Sequence, residues 1–178
     1  TLNMDITKYY PSTSKAKVQK YKGYTMIYPR DVAQYLSEIC TINDSLPTGS
    51  PLSSALAYWA NKPMFDEIFR VAKSRSITMT VYVDDISFTG RAVDEKFLEK
   101  IIKIIDRYQH KIKKEKIKIF SNTGVKFITG VAIVNHQLQP AYKHFRDIRT
   151  LKKIENDLTV TLRLIGKQNY LKQIANIA

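Results

Sequence analysis

The chain has 178 residues, 44% of them hydrophobic and 25% charged, which is enough for one domain with its own core and typical of a globular protein. Lys and Arg number 29 against 16 Asp and Glu, and the formal net charge of +13 favours a polyanionic partner such as nucleic acid. The single cysteine, Cys40, excludes an intramolecular disulfide and argues against a cysteine-ligated zinc site.

Export and membrane insertion are not indicated by any feature of the sequence. No segment approaches the ~18 consecutive apolar residues of a membrane span, and there is no signal-peptide pattern. We therefore expect a cytoplasmic protein without a membrane partner. The sequence begins on an apolar pattern without an initiator Met, so we interpret it as part of something longer.

The first elements in chain order are a strand and a helix. The apolar residues 1–6 predict a strand that ends near Asp5. Pro29 predicts the start of a helix that continues to about Ile42, because proline suits the first helical turn. Residues 43–49 are rich in turn-forming side chains and predict a loop.

A longer helix is predicted after that loop. Ser50 and Pro51 are typical of an N-cap and a first helical residue. The helical pattern continues towards Ser74, and Pro63 is expected to kink or split the helix.

The second half of the chain opens with a predicted hairpin. Residues 77–83 and 86–89 are rich in β-branched side chains, and Asp84 and Asp85 between them give the hairpin an acidic tip. Residues 93–112 follow with the clearest helical periodicity in the chain.

The last predicted elements are strands at 117–120 and 126–135 and a helical tail from Lys143. The apolar stripe of the tail consists of Phe145, Ile148, Leu151, Ile154, Leu158, Leu162 and Ile165. The whole order predicts an α+β fold with a β-α-β-β-α-β core, ferredoxin-like or RRM-like, in which helices pack on one face of an antiparallel sheet. If the first strand lies beside the hairpin, Asp5 comes close to Asp84 and Asp85.

These three aspartates carry the strongest chemical signal. Asp84 and Asp85 are adjacent like charges and Asp5 would add a third, so the cluster needs a counter-charge. Two divalent cations roughly 3.5–4 Å apart can supply it, activate a 3′-hydroxyl and stabilise the leaving oxygens of a phosphoryl displacement. Mg²⁺ suits a site with few carboxylates and several phosphate or water ligands. Taken alone, Asp84 and Asp85 are equally compatible with a plain polar turn.

Five segments resemble, in order and spacing, the palm motifs of reverse transcriptases, and of the bacterial retron-like enzymes in particular. They are residues 3–12 with Asp5 and paired tyrosines, the Leu-Pro-x-Gly-x-Pro segment at 46–53, the Tyr-x-Asp-Asp segment at 82–85, the lysine-bearing segment at 113–119 and residues 127–131 with their Thr-Gly. The resemblance implies a polymerase palm at residues 1–140 and the helical start of a thumb at residues 141–178.

The resemblance also implies an activity. It is that of an RNA-directed DNA polymerase, which adds deoxynucleotides to the 3′-hydroxyl of a DNA or RNA primer on an RNA template. Two Mg²⁺ ions would be the cofactors, with Mn²⁺ as a substitute, and a structured non-coding RNA would be a further partner.

Roles in catalysis follow from the resemblance residue by residue. Asp5 and Asp84 are expected to bind both metal ions, and Asp85 to make a weaker contact. The backbone carbonyl of Ile6 is expected to bind the nucleotide-side ion. Tyr10 is expected to stack under the incoming sugar and to exclude a 2′-hydroxyl, because a bulky ring can reject one extra oxygen.

Further contacts to the substrates are expected from the other motifs. Gly49 and Ser50 would let the loop backbone approach the nucleotide, and Lys116 would assist the departure of pyrophosphate. For Lys116 a solvated basic run is the alternative, and Tyr9 is expected to pack in the core. The expected contacts to primer and template come from Tyr82, Thr129, Gly130, Lys143 and Arg146.

Two departures from the family pattern matter. Thr48 stands where most members carry Gln, which puts the contact of that side chain in doubt. The basic fingers region that normally precedes the first motif is also missing upstream of Asp5, so we expect the chain alone to be weakly active or inactive.

Two other functions stay open from the sequence. One is a phage-defence or abortive-infection type of polymerase that extends DNA without a template. The other is a nucleic-acid binding module whose palm is no longer catalytic, although the presence of all three aspartates argues against it.

Overall fold

The chain forms two units in the computed structural model, Thr1–Ile119 and Phe120–Ala178. The structure describes residues 1–121, 124–128, 131–134, 137–154 and 158–177. Within these residues, no helix has the length and apolar character needed to cross a membrane.

A four-stranded antiparallel sheet organises the first unit. Its strands are β1 (Leu2–Asp5), β2 (Thr78–Tyr82), β3 (Asp85–Thr89) and β4 (Lys118–Ile119), in the order β2-β3-β1-β4. β1 lies in the interior of the sheet and pairs with both β3 and β4. The predicted neighbourhood of the first strand and the hairpin is therefore confirmed, as is the predicted α+β class.

Five helices accompany this sheet in the described part of the first unit. They are α1 (Lys15–Lys20), which a π-helical turn (Tyr21–Thr25) continues, α2 (Arg30–Ile39), α3 (Ser53–Ala60), α4 (Lys62–Lys73) and α5 (Glu95–Arg107). The predicted split at Pro63 is confirmed, since this residue lies in the first turn of α4. Asp94 caps α5, and its carboxylate accepts a hydrogen bond of 2.7 Å from the backbone N–H of Phe97.

The core of the first unit lies between the sheet and helices α4 and α5. The helical periodicity of α5 places four of its apolar side chains on the buried face, and α4 does the same. The largest buried side chains of the unit include Leu2, Met4, Met64, Ile68, Ile86, Phe88, Phe97, Ile101 and Ile105. Phe88 of β3 and Phe97 of α5 meet edge to face, with ring centroids 5.0 Å apart.

The segment between β1 and α3 departs from the predictions. Helix α1 and the π-helical turn were not predicted, because their Lys- and Tyr-rich sequence has no clear apolar period. Helix α2 ends at Ile39 rather than near Ile42, and Tyr35 and Ile39 on its apolar face are exposed. Cys40, which follows α2, is half-buried.

The second unit combines a small sheet with two helices. Its strands β5 (Lys126–Ile128), β6 (Val131–Val134) and β7 (Gln137–Pro140) form an antiparallel sheet in chain order, and helices α6 (Tyr142–Leu151) and α7 (Leu158–Ile177) follow. Phe145, Ile154, Leu158, Leu162 and Ile165 of the predicted apolar stripe are exposed, whereas Ile148 is buried. The boundary between the units precedes β5, so these strands group with the helical tail; the assignment of residues 141–178 to a thumb stays a prediction.

Truncation of Phe97 tests the core of the first unit. Phe97→Ala removes a fully buried ring and is expected to lower the free energy of unfolding by about 3–5 kcal/mol. The measurement is urea denaturation followed by the fluorescence of Trp59, the single tryptophan, which lies in the same unit. The control is Phe69→Ala, where the ring is half exposed and the loss should be about 1 kcal/mol or less. Equal losses in the two variants would contradict this core.

Candidate active site

The register of β1 against β3 brings the sequence-distant aspartates together. Asp5, the last residue of β1, is the direct cross-strand partner of Asp85, the first residue of β3. Asp85 is in turn paired with Tyr82 of β2, so two residues alone, Val83 and Asp84, connect the hairpin. Directly opposed like charges destabilise a strand pair, so this arrangement needs compensation elsewhere.

The hairpin tip has an unfavourable backbone conformation. Val83 has a φ of +56°, a left-handed value that is usual for glycine in two-residue hairpin loops and rare for a β-branched residue. Such outliers cost of order 1–3 kcal/mol and cluster at functional sites. The carbonyl of Asp84 accepts a hydrogen bond of 2.9 Å from the backbone N–H of Ile6, which ties the tip to the end of β1.

Asp5 is buried and held by two lysines. The residue is 6% exposed, its Oδ1 lies 2.8 Å from Nζ of Lys113, and its Oδ2 accepts a hydrogen bond of 2.6 Å from Nζ of Lys116. Asp5, the cross-strand partner of Asp85, thus has two ammonium groups beside its carboxylate at one end of the sheet. This pairing gives the buried charge of Asp5 the partners that it needs.

A short 3₁₀ turn, Lys114–Lys116, presents the two lysines on the same side. Lys113 immediately precedes the turn, its carbonyl accepts a hydrogen bond of 2.9 Å from the backbone N–H of Lys116, and both ammonium groups reach the Asp5 carboxylate. The backbone N–H of Lys113 also donates to the carbonyl of Asp5 at 3.0 Å, which anchors the turn to β1. Sequence reasoning singled out Lys116 alone; the Lys-x-x-Lys spacing is the signal that could have found Lys113.

The carboxylates of the site are shifted in opposite directions. Burial pushes the pKa of Asp5 up, but the hydrogen bonds and charges of Lys113 and Lys116 outweigh it and hold the pKa below its usual value. The pKa of Asp85 is raised, first by burial and then by the negative charges of Asp84 and Asp5. The pKa of Lys116 is raised by its hydrogen bond to Asp5.

The donor set fits a hard divalent cation. Carboxylate and carbonyl oxygens are the ligands that Mg²⁺ prefers, and Asp5, Asp84, Asp85 and the backbone carbonyl of Ile6 lie at the same end of the sheet. The described residues nevertheless contain no three His, Cys, Asp or Glu side chains that already form a metal-binding group. Both carboxylate oxygens of Asp5 are instead engaged by lysine nitrogens.

A buried polar network supports the loop that carries the paired tyrosines. The carbonyl of Tyr9 accepts hydrogen bonds from the hydroxyls of Ser12 and Thr13 at 3.1 and 2.9 Å. The Ser12 hydroxyl also lies 2.8 Å from Nδ1 of His110, and Asn61 donates to the Thr13 hydroxyl at 2.8 Å. His110 and Asn61 were not predicted, because nothing local in the sequence links residues so far apart.

The two tyrosines have different environments. Tyr9 is buried and packs against Phe65 and His110, which agrees with the core role expected for it. Tyr10 is half-buried, and its ring centroid lies 5.8 Å from that of Tyr9. The packing of Tyr9 therefore limits the positions that the Tyr10 ring can take.

The loop before α3 is braced internally. Gly49 has a φ of +96°, a conformation that L side chains rarely adopt, and no atom crowds the space where a Cβ would lie. The Ser50 hydroxyl accepts a hydrogen bond of 3.3 Å from the backbone N–H of Leu52, and the Ser53 hydroxyl donates to the carbonyl of Pro47 at 2.6 Å. Backbone conformation, rather than packing, is what requires a glycine at position 49.

The remaining predicted contacts are spread over the chain. Tyr82 is 67% exposed on the edge strand β2. Lys143 and Arg146 are exposed on α6 in the second unit. Thr129 and Gly130 lie outside the described residues. Asp5, Ile6, Asp84, Asp85 and Lys116 are the predicted site residues that the structure brings together.

Sequence comparison identifies relatives among bacterial enzymes. No protein-family model matches the chain. It is 25% identical over 150 residues to the retron Ec86 reverse transcriptase of Escherichia coli, a match that covers 83% of this chain and 47% of that protein. It is 30% identical over 106 residues to the retron Se72 reverse transcriptase of Salmonella heidelberg, covering 57% and 27%. The chain is thus similar in sequence to bacterial retron reverse transcriptases. It spans less than half the length of either of these relatives.

Solved structures of two polymerases have the same fold as this chain. The foamy viral protease-reverse transcriptase in complex with an RNA/DNA hybrid matches with a TM-score of 0.59 at 19% identity, covering 95% of this chain and 21% of that one. Telomerase from Candida albicans, in complex with a fragment of telomeric RNA, matches with a TM-score of 0.59 at 13% identity, covering 97% and 39%. The predicted polymerase-palm fold is thereby confirmed.

The lysine pair makes a prediction about the titration of Asp5. Lys113→Met should raise the pKa of the Asp5 carboxyl, because a hydrogen bond and a positive charge are lost while burial remains. The measurement is carboxyl-carbon NMR titration of the metal-free protein in EDTA. The control, Lys114→Met, changes an exposed lysine of the same turn and should leave Asp5 unchanged. An Asp5 pKa that does not respond to Lys113→Met would contradict the ion pair.

Proposed function

We propose that this chain is the catalytic palm of an RNA-directed DNA polymerase that extends a primer 3′-hydroxyl with deoxynucleotides. The observation that carries the proposal is the pairing of Asp5 with Asp85 across β1 and β3, with Asp84 at the adjoining hairpin tip. A plain polar turn would have no reason to face a third, buried carboxylate on a neighbouring strand. The sequence similarity to two retron reverse transcriptases supports the same proposal.

Metal ions would be held by oxygens of this cluster. Asp5, Asp84 and Asp85 would provide carboxylates, and Ile6 would provide its backbone carbonyl. Two Mg²⁺ ions, or Mn²⁺ in their place, would supply Lewis-acid activation of the primer hydroxyl and neutralise charge on the leaving phosphates. The chain's own contribution is to hold the carboxylates at one end of a rigid sheet, whose register fixes their separation.

The lysine turn would serve the leaving group. Lys113 and Lys116 place two positive charges beside the carboxylates, and phosphoryl transfer builds negative charge on the departing pyrophosphate. Lys116 is the more exposed of the two, so it is the better placed to turn towards a phosphate or to donate a proton. Lys113 would stay as the partner of Asp5.

Nucleic acid would be the partner of the palm. The net charge of +13 favours a polyanion, and a foamy viral reverse transcriptase and a telomerase with the same fold were solved with an RNA/DNA hybrid and with telomeric RNA. We extend this to an RNA template, a DNA or RNA primer and, by the relationship to retron enzymes, a structured non-coding RNA. A role in antiviral defence belongs to the same proposal.

The double variant Asp84→Asn, Asp85→Asn tests the catalytic site. Primer extension on an RNA template with Mg²⁺ or Mn²⁺ should fall by at least about 100-fold, because both carboxylate charges at the hairpin tip are lost. The assay uses the 178-residue chain and a longer protein that adds the region upstream of Asp5, since the chain alone is expected to be weak. Asp106→Asn, an exposed acid on α5, is the control.

Sequencing of the products distinguishes templated from untemplated synthesis. A templated copy supports the proposal, whereas a biased random tract would indicate untemplated extension of the phage-defence type. Absence of synthesis by a folded wild-type protein that binds nucleic acid would indicate a non-catalytic binding module.

Tyr10 tests the proposed discrimination between sugars. Tyr10→Ala should raise the kcat/KM for ribonucleotides relative to deoxynucleotides by about 10–100-fold, because the ring that would meet a 2′-hydroxyl is gone. Tyr10→Phe keeps the bulk and should keep the discrimination. The measurement is single-nucleotide incorporation with each substrate. An unchanged ratio in Tyr10→Ala would remove Tyr10 from the sugar pocket.

A further inference from the structure

A cavity of about 520 Å³ opens in the first unit among residues that the proposed polymerase site does not use. Its walls come from α1 and its π-helical turn, from the junction of α3 and α4, and from the end of α5. Lys17, Lys20, Tyr21, Tyr24, Trp59 and Tyr108 are the side chains that give it its character. Aromatic and cationic groups are therefore combined in one concave surface.

The aromatic side chains form an exposed stacking platform. Tyr21 and Trp59 lie nearly parallel, with an interplanar angle of 16° and ring centroids 6.1 Å apart. Trp59 is 42% exposed and Tyr24, at the rim, is 83% exposed. Large apolar faces of this kind are costly to leave in water unless they contact a partner, and flat rings accept the face of a nucleobase.

The cation at the floor of the cavity lacks an acidic partner. Nζ of Lys17 donates to the carbonyl of Tyr108 at 2.7 Å and lies 2.9 Å from Nε2 of His110. Burial lowers the pKa of Lys17 to about 8, and burial together with the charge of Lys17 lowers that of His110 to about 4, so the imidazole is neutral and the lysine largely charged at pH 7. Among the described residues no carboxylate forms an ion pair with Lys17.

The partly buried ammonium group of Lys17 favours an anionic ligand. A partly buried ammonium group without a counter-charge is unfavourable, and an anion that enters the cavity relieves it. Lys20 adds a second, exposed ammonium group at the same wall. Arg107 also lines the cavity, but Glu67 already pairs with it. The positive charges without a carboxylate partner among the described ion pairs are thus those of Lys17 and Lys20 on α1, next to the aromatic platform.

We propose that this cavity binds an unpaired nucleotide of a single-stranded nucleic acid, with the base against Trp59 and the rim residue Tyr24 and the backbone phosphate at Lys17 and Lys20. A base–aromatic stack and a phosphate–lysine contact are the two interactions by which proteins hold single strands. A duplex cannot use the platform, because its bases are already stacked. The site is separate from the carboxylate cluster and does not require polymerase activity.

The cavity is also connected to the tyrosine loop. Lys17 contacts His110 through Nε2, and the Nδ1 of the same ring lies 2.8 Å from the hydroxyl of Ser12. The same Nε2 lies 2.7 Å from Oδ1 of Asn61, so an anion that draws Lys17 towards the cavity would leave Asn61 as the partner of this nitrogen. Binding of the strand therefore has a route by which it can affect the loop that carries Tyr10.

The single tryptophan makes the site directly observable, because Trp59 is the only indole in the chain. Fluorescence of the 178-residue chain would be followed in EDTA, which prevents metal-dependent binding at the carboxylates. The probes are a 12-nucleotide single-stranded oligoribonucleotide, a blunt duplex of the same sequence, uridine monophosphate and inorganic phosphate. We expect saturable quenching by the single strand and at least tenfold weaker binding of the duplex and of both small probes.

Matched variants separate this cavity from general attraction to a basic protein. Tyr24→Ala and Lys20→Met should each weaken binding of the single strand, by about tenfold and about threefold. The controls Tyr35→Ala and Lys103→Met change an exposed tyrosine and an exposed lysine outside the cavity and should leave the affinity unchanged. All four side chains are exposed, so the variants should fold.

Three results would overturn the proposal. Absence of quenching, or equal effects of the cavity and control variants, would show that strands do not enter the cavity. Equal affinity for the duplex would indicate recognition of phosphates alone. Equal affinity for uridine monophosphate would indicate a site for free nucleotides rather than for a strand.

Discussion

Pairing of β1 with β3 is the constraint on which the candidate site depends. Because the side-chain direction alternates along a strand, a shift of one residue would send Asp5 to the opposite face from Asp85 and expose Met4 instead. The apolar residues of β1 and β3 that are buried in the core therefore fix the position of the carboxylates. The same strand register is therefore needed for the stability of the core and for the position of the carboxylates. Helices α4 and α5 stabilise this register by packing on the sheet.

Charge compensation is the second constraint, and it comes from a different part of the chain. The 3₁₀ turn before β4 brings Lys113 and Lys116 to Asp5. The hydrogen bond from the backbone N–H of Lys113 to the carbonyl of Asp5 holds this segment against the end of β1. Without these lysines the buried carboxylate of Asp5 would lie across the strand pair from Asp85 with no opposite charge beside it. The two-residue strand β4 pairs with β1 and so helps to position the preceding turn beside Asp5.

Much of this arrangement could be predicted from the sequence, and the misses have physical causes. Asp84 and Asp85 are found from a local pattern, and their approach to Asp5 follows from element order alone. Lys113 was missed because its Lys-x-x-Lys spacing lies within a run of several lysines, and His110 because its partners are distant in sequence. The exposure of Tyr35 and Ile39 on α2 could not be predicted, because periodicity predicts an apolar face but not what covers it.

The two ion pairs of Asp5 with Lys113 and Lys116 would affect the concentration at which a divalent cation binds. Lysine nitrogens and metal ions would compete for the same two oxygens, so the free-energy cost of separating the ion pairs is subtracted from the intrinsic affinity of the carboxylate for a cation. In the absence of substrate, the carboxylate site would bind divalent ions only above a certain ion concentration. Substrate phosphates that attract the lysines away would lower that threshold, which would make cation loading depend on the arrival of a nucleotide.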